Sequence, residues 1–237
     1  MANTVLNMHY DFRLKLNNID SGKYSGFKVP EIDWKLNEAM NLLIASIAFP
    51  KMFKGTALEY NQASIDDISV LIKDRQGINA IERTKSRFLF VLPIDYMHHL
   101  SSYVTAVKRT CTQSIRTHTI QHDDESEESP FDNSSFEWKH VNIRFSNEGI
   151  IGFTDSSFSL SYMLLDYIRK PLYIHAAGTH TTGEYTLPSG IVLSGYQNCE
   201  QPERLHSKIV DLAVLITTGD LLPANYDVKM AKLQLTN

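Results

Sequence analysis

Cysteine is scarce in these 237 residues: there are two, Cys111 and Cys199, far apart and in no C-x-x-C pair. That argues against a disulfide scaffold and a four-ligand zinc finger, and it fits a reducing interior. A long hydrophobic run is missing too. The longest, Leu42 to Phe49, is interrupted by Ser46, whereas a membrane span takes roughly 20 apolar residues. Met1 to Asp11 holds no basic stretch followed by an apolar one, so no targeting signal is expected. There is no G-x-S-x-G elbow, no G-x-x-x-x-G-K-S/T loop and no G-x-G-x-x-G turn. Nor does one sign of charge dominate: the net charge is −4. A protein built to coat nucleic acid would be strongly basic.

What is present is ordinary globular composition. Hydrophobic residues make up 43% and charged residues 21%, which excludes wholesale disorder. The length suits one good core, so a single domain over 1–237 is the expectation.

Periodicity supplies the elements. From Val5 to Ile19 two patterns compete: Val5, Met8, Phe12, Leu16 and Ile19 at helical spacing, and Leu6 to Leu16 in strict alternation. Thr4 as a cap and Asp20-Ser21-Gly22 as a stop favour a helix. A second helix begins at Pro30, with Glu31 and Asp33 near its positive end. Ile32, Leu36, Met40, Leu43 and Ile47 form its stripe, Ala39, Leu42 and Ala45 widen it, and Pro50 stops it. Ser64 to Asp67 reads as a helix start, which explains Asp66-Asp67 better than acid–base work does.

Beyond Gly77 the pattern becomes strand-like. Strands are expected at Arg87–Leu92, at Tyr103–Val107 and on to Ile120, in a hairpin of Val141–Phe145 with Ile150–Phe153, at Phe158–Leu164, at Leu172–His175 and at Ile191–Leu193. Aromatic residues sit at these strand positions among apolar neighbours, as core packing requires. Leu205, Ile209, Leu212, Ala213 and Ile216 mark a last helix at 202–219, with Gly219 as its cap. The expected fold is therefore α+β: an antiparallel β-sheet or sandwich with N-terminal helices and one C-terminal helix. Residues 1–60 are mainly helical, 70–200 strand-rich with an acidic loop at 121–135, and 221–237 an extended arm.

Charge is unevenly placed. Residues 73–116 hold eight Lys/Arg against three Asp/Glu, and 117–137 hold seven Asp/Glu and no Lys/Arg. Asp123 to Glu128 is the centre of the acidic stretch. It reads first as a solvated loop, and otherwise as a docking segment for a basic partner or an anion-repelling wall beside DNA.

Nine histidines prompt a metal search. His118 and His122 have i, i+4 spacing, with Asp123 and Asp124 adjacent, but the glutamate of a zincin helix is absent. A metal-dependent hydrolase using His118, His122 and Asp123 or Asp124 is one alternative function. His98 and His99 point to different sides of any regular element. His175 and His180 flank a glycine turn and read as surface or interface hydrogen bonding. No catalytic, cofactor or metal residue is assigned, and the chain is expected not to be an enzyme.

Five strings, taken in order, carry a resemblance: Tyr10-Asp-Phe-Arg-Leu-Lys-Leu-Asn-Asn-Ile-Asp-Ser21, Val29-Pro-Glu-Ile-Asp-Trp-Lys-Leu-Asn-Glu-Ala39, Leu92-Pro-Ile-Asp-Tyr96, Tyr167-Ile-Arg-Lys-Pro-Leu-Tyr-Ile174 and Cys199-Glu-Gln-Pro-Glu-Arg-Leu-His-Ser-Lys-Ile-Val-Asp-Leu-Ala213. In this order the chain resembles neck or ring proteins of crAss-like tailed bacteriophages, over most of its length except the acidic loop and the last fifteen or so residues. The resemblance implies a non-enzymatic virion protein of the head–tail connector, assembled in the host cytoplasm. It implies a closed ring, twelvefold to match the portal, stacked on the portal protein and other neck or tail proteins. Packaged DNA would pass through without specific binding, and no membrane or cofactor would be involved. Ring closure needs complementary lateral surfaces, for which extended ends such as 1–7 or 221–237 are suited. A capsid-associated or packaged virion protein is the other alternative.

Overall fold

A computed structural model describes residues 4–17, 26–48, 66–121, 133–176, 184–186, 190 and 192–221. The acidic run with His122, Asp123 and Asp124, the turn at His180, Pro50, Ser64 and the arm at 222–237 lie outside these residues. The architecture is α+β, with a large, mostly antiparallel sheet, N-terminal helices and a C-terminal helix. The chain divides into two compact units, residues 1–70 with 171–237, and residues 71–170.

In the first unit, helix α1 (Val5–Asn17) settles the ambiguous segment. Val5, Met8, Phe12 and Leu16 are buried at helical spacing. Helix α2 (Val29–Ala48) opens with half of a capping box, in which the Lys28 amide donates to Glu31 Oε2 at 2.8 Å. Its buried face holds Ile32, Leu36, Ala39, Met40 and Ile44. Two expectations change here. Leu42 faces outward and Leu43 and Ile47 are half-buried, because Ile44 continues the 3.6-residue line from Met40. Asp33 and Asn37 are buried as well, on the same face as the apolar stripe.

Helix α3 (Glu203–Leu221) runs through Gly219 rather than stopping there. Its buried side includes Leu205, Ile209, Val210, Ala213 and Val214, with Leu212 and Ile216 at the margin. Thr217 and Thr218 are also buried, because their hydroxyls donate to the carbonyls of Ala213 and Val214 four residues back. Helices α1, α2 and α3 pack on one another.

The second unit carries eight strands: β1 (Ile72–Asn79), β2 (Ile81–Thr84), β3 (Arg87–Phe90), β4 (Tyr96–Lys108), β5 (Cys111–Thr119), β6 (Val141–Ser146), β7 (Gly149–Phe153) and β8 (Ser159–Arg169). Their order is β1-β8-β4-β5-β6-β7-β3-β2. Neighbours are antiparallel except β5 and β6, which run parallel. The two ends of this order, β1 and β2, are separated in sequence by Ala80 alone. One bent strand therefore serves both edges, and the sheet curls round to close at that corner. The Ala80 amide donates to the Ser161 carbonyl at 3.1 Å, fixing the bend. Phe88, Phe90, Val104, Ile143, Leu160 and Met163 are among the side chains that fill the core.

Alternation in β8 breaks where the sequence shows no break. Tyr162 pairs with Thr105, but Leu160 pairs with the very next residue, Ala106. Ser161 is thus an extra residue, a β-bulge, and it reverses the phase of the strand. Leu160 is buried, then Met163, Leu165 and Tyr167, while Tyr162 is 37% exposed.

Past Arg169 the strand-rich part does not continue to 200 as one sheet. Strands β9 (His175–Ala176), β10 (Glu184–Thr186), β11 (Val192–Ser194) and β12 (Tyr196–Gln197) form two small pairs in the first unit. The strand expected at Leu172–His175 is reduced to His175–Ala176, because a helix side chain takes the place of a ladder. Asn37 of α2 accepts from the Ile174 amide at 2.7 Å and donates to the Ile174 carbonyl at 2.9 Å. Beside it, Asp33 accepts from His9 Nε2 at 2.6 Å and from the Ala176 amide at 3.2 Å. Among the described residues no helix is long and apolar enough to cross a membrane.

Candidate functional site

In the 71–170 unit, strands β4 and β5 are zipped as a hairpin from Lys108–Cys111 to Tyr103–Arg116. They then part. β4 stays paired with β8, with register irregularities between Tyr96 and His98 and between His99 and Ser101, while β5 pairs from Thr117 onward with β6. The parting leaves a wedge of about 450 Å³ lined by 99–102 and 116–119.

Two hydroxyls sit at the apex. Ser102 and Thr117 are 1% and 9% exposed, with their oxygens 2.5 Å apart. Thr117 Oγ1 also lies 3.1 Å from the Ser102 carbonyl oxygen, and a carbonyl only accepts, so the Thr117 proton goes there. Ser102 must then donate to Thr117. Its oxygen has only lone pairs left for His99 Nε2, 3.0 Å away, so the imidazole donates through Nε2–H. A serine nucleophile needs the opposite arrangement, with its proton directed at the histidine. Ser102 and His99 stand at contact distance but are wired the wrong way round for activation.

Asp166 does not complete a triad either. Its Oδ2 accepts from Ser101 Oγ at 2.5 Å and its Oδ1 from the Arg75 amide at 2.6 Å. Arg75 has φ 51° and lies in the irregular stretch of β1 between Lys73 and Gln76. Asp166 thus pins a strained edge residue. Burial pushes the His99 pKa down, and the charge of Asp166 partly opposes this. The ring edge rests on Phe145, with centroids 5.2 Å apart.

The sequence-derived metal candidates are not brought together. His118 is exposed on β5, its ring stacked on His140 at 4.4 Å and 22°. Burial, then His140, then Arg116 lower its pKa. Among the described residues no group of three or more His, Cys, Asp or Glu side chains could hold a metal. His175 is corrected from a surface residue to a core one: it is 1% exposed, and its Nδ1 bonds to the Gly195 carbonyl. Cys199 is buried and its thiol is pushed up to about 11, first by burial. Cys111 is exposed.

A different kind of feature lies on α1. Leu6, Tyr10 and Leu14 follow one another at i, i+4 and i+8 and are 45%, 69% and 47% exposed. This is a second apolar stripe, beside the buried one and on water. In the sheet unit, Ile94 is 96% and Trp138 86% exposed, both in turns. No protein-family model and no curated protein matches the chain.

Sequence reasoning missed the wedge. The irregularity that brings His99 to Ser102 breaks the two-residue strand period, so the pair carries no motif. The only hint was the change from alternation to the Ser101-Ser102 pair in the middle of an otherwise regular strand.

Proposed function

We propose that this chain is a structural virion protein, one subunit of a ring in the portal–tail connector of a tailed phage. The observation that carries an assembly role is the stripe Leu6, Tyr10 and Leu14. A soluble helix gains nothing from a second apolar line facing water, whereas an interface gains a row of anchors. The ordered resemblance of the five strings supplies the particular assembly. In this reading the chain has no turnover, contacts its own copies, the portal and other neck or tail proteins, and lets packaged DNA pass without gripping it.

The test is electron microscopy of the purified chain, alone and mixed with its portal, beside mass spectrometry of purified particles. A closed ring on the portal axis is expected, twelvefold in copy number. Replacing Leu6, Tyr10 and Leu14 together by serine should leave the helix intact and abolish the ring. A chain that stays monomeric with portal present, or is missing from particles, would overturn the proposal.

A further inference from the structure

The wedge between β4 and β5 has the chemistry of a receptor for another chain. Where the strands part, each has a strand on one flank only among the described residues: β4 pairs with β8, and β5 with β6. Main-chain groups alternate sides along a strand. The Ile120 amide is turned to the Ile143 carbonyl. The amides and carbonyls of Thr117 and Thr119 therefore face the other way, into the wedge. Across it, the Ser102 carbonyl also faces inward and accepts from the Thr117 hydroxyl. That hydroxyl caps the end of the hairpin ladder, and beyond it the Thr117 and Thr119 peptide groups form a short row along β5.

Charge narrows the occupant. Arg116 and His118 are exposed on the same side of β5, two residues apart, at the mouth. Among the described residues no acidic side chain lines the wedge. The volume, about 450 Å³, falls in the range of roughly 300–1,000 Å³ typical of small-ligand sites and admits only a few residues of chain. A row of alternating N–H and C=O groups along β5 suits a peptide, which offers both. A phosphodiester backbone offers acceptors alone and would leave the wedge carbonyls unmatched.

We infer that the wedge docks a short, extended, acidic segment of a partner chain. The segment adds as a strand between β4 and β5, its main chain bonds to Thr117 and Thr119, and a carboxylate meets Arg116 and His118. This does not rest on the ring proposal, since any partner with such a segment would serve.

The probe is a fluorescein-labelled peptide of alternating threonine and glutamate, titrated into the full chain and followed by anisotropy. Saturable binding that weakens with salt is expected. Arg116→Glu, an exposed change, should weaken it at least about tenfold. Hydrogen exchange should slow at the Thr117 and Thr119 amides on binding. His118→Ala should weaken binding less than Arg116→Glu, because burial, His140 and Arg116 all hold the ring towards neutrality. The inference is overturned if the peptide does not bind, if a threonine–lysine peptide or oligothymidylate binds tighter, if Arg116→Glu binds equally well, or if protection appears elsewhere.

Discussion

Thr117 gives its only hydroxyl proton to the carbonyl oxygen of Ser102, 3.1 Å away. That one bond sets the direction of the next two, and so fixes which nitrogen of His99 carries hydrogen. Thr117→Val keeps the shape and removes the donor. The buried Ser102 carbonyl then loses its cap, at a cost of about 1–3 kcal/mol. Denaturant unfolding should show that loss, and nitrogen NMR should show the His99 proton no longer confined to Nε2. Thr117→Ser should restore both.

Asn37 holds the Ile174 peptide by both its groups. Asn37→Leu fills the space but leaves a buried amide and a buried carbonyl without partners. Each stranded group costs about 1–3 kcal/mol, so the midpoint of unfolding should fall markedly. Asn37→Asp retains the acceptor for the Ile174 amide and loses the donor, and should fall between the two.

Gly149 has φ 141°, and an added Cβ would lie 2.3 Å from the Phe90 carbonyl oxygen. That neighbour is backbone of β3 and cannot swing aside. Gly149→Ala should therefore lose more than the roughly 1–3 kcal/mol of backbone strain alone. At Gly77 the obstacle is nearer, 1.5 Å, but it is the tip of the exposed Tyr162 side chain. Gly77→Ala should be the milder change in a thermal melt, despite the shorter distance.

Histidines of the sheet unit make it sensitive to acid. His98, His99 and His118 all have pKa values lowered from 6.5, with burial the first cause in each. The unfolded chain takes up their protons more readily than the folded one. Stability is therefore full above about pH 6.5 and falls as pH drops below it. Thermal midpoints should decline between about pH 7.5 and about pH 5.5. His99→Gln, whose amide can still donate to Ser102, should flatten the slope.

The helices were legible because packing there follows a simple period. Val5, Met8, Phe12 and Leu16 announce α1 even though alternation also fits. Asp33 and Asn37 were not legible as core residues. Their partners, Ala176 and Ile174, lie far along the chain, and nothing local marks a polar side chain as satisfied. Alternation marked β3, β5, β6, β7 and β8 but not β2 or the first half of β4, and the phase of β8 was not marked, since a bulge at Ser161 depends on what pairs with it. The wedge was invisible for the same reason: it is made where pairing changes, and pairing is not written in one strand. The candidate metal ligands were chosen by spacing alone, and spacing on a strand places His118 beside His140, which no motif had linked to it.

The bend at Ala80 has a consequence for the order of folding. Residues 72–84 find β3 close by in sequence, but their other flank waits for Ser159–Arg169. Until that segment leaves the ribosome the sheet has an open seam. Helices α1 and α2 wait longer still, for α3 beginning at Glu203. Such distant closures are slow, because the loop entropy is lost before the contacts form. Nascent chains truncated before Arg169 should therefore be strongly chaperone-dependent, and release from chaperone should follow synthesis of α3.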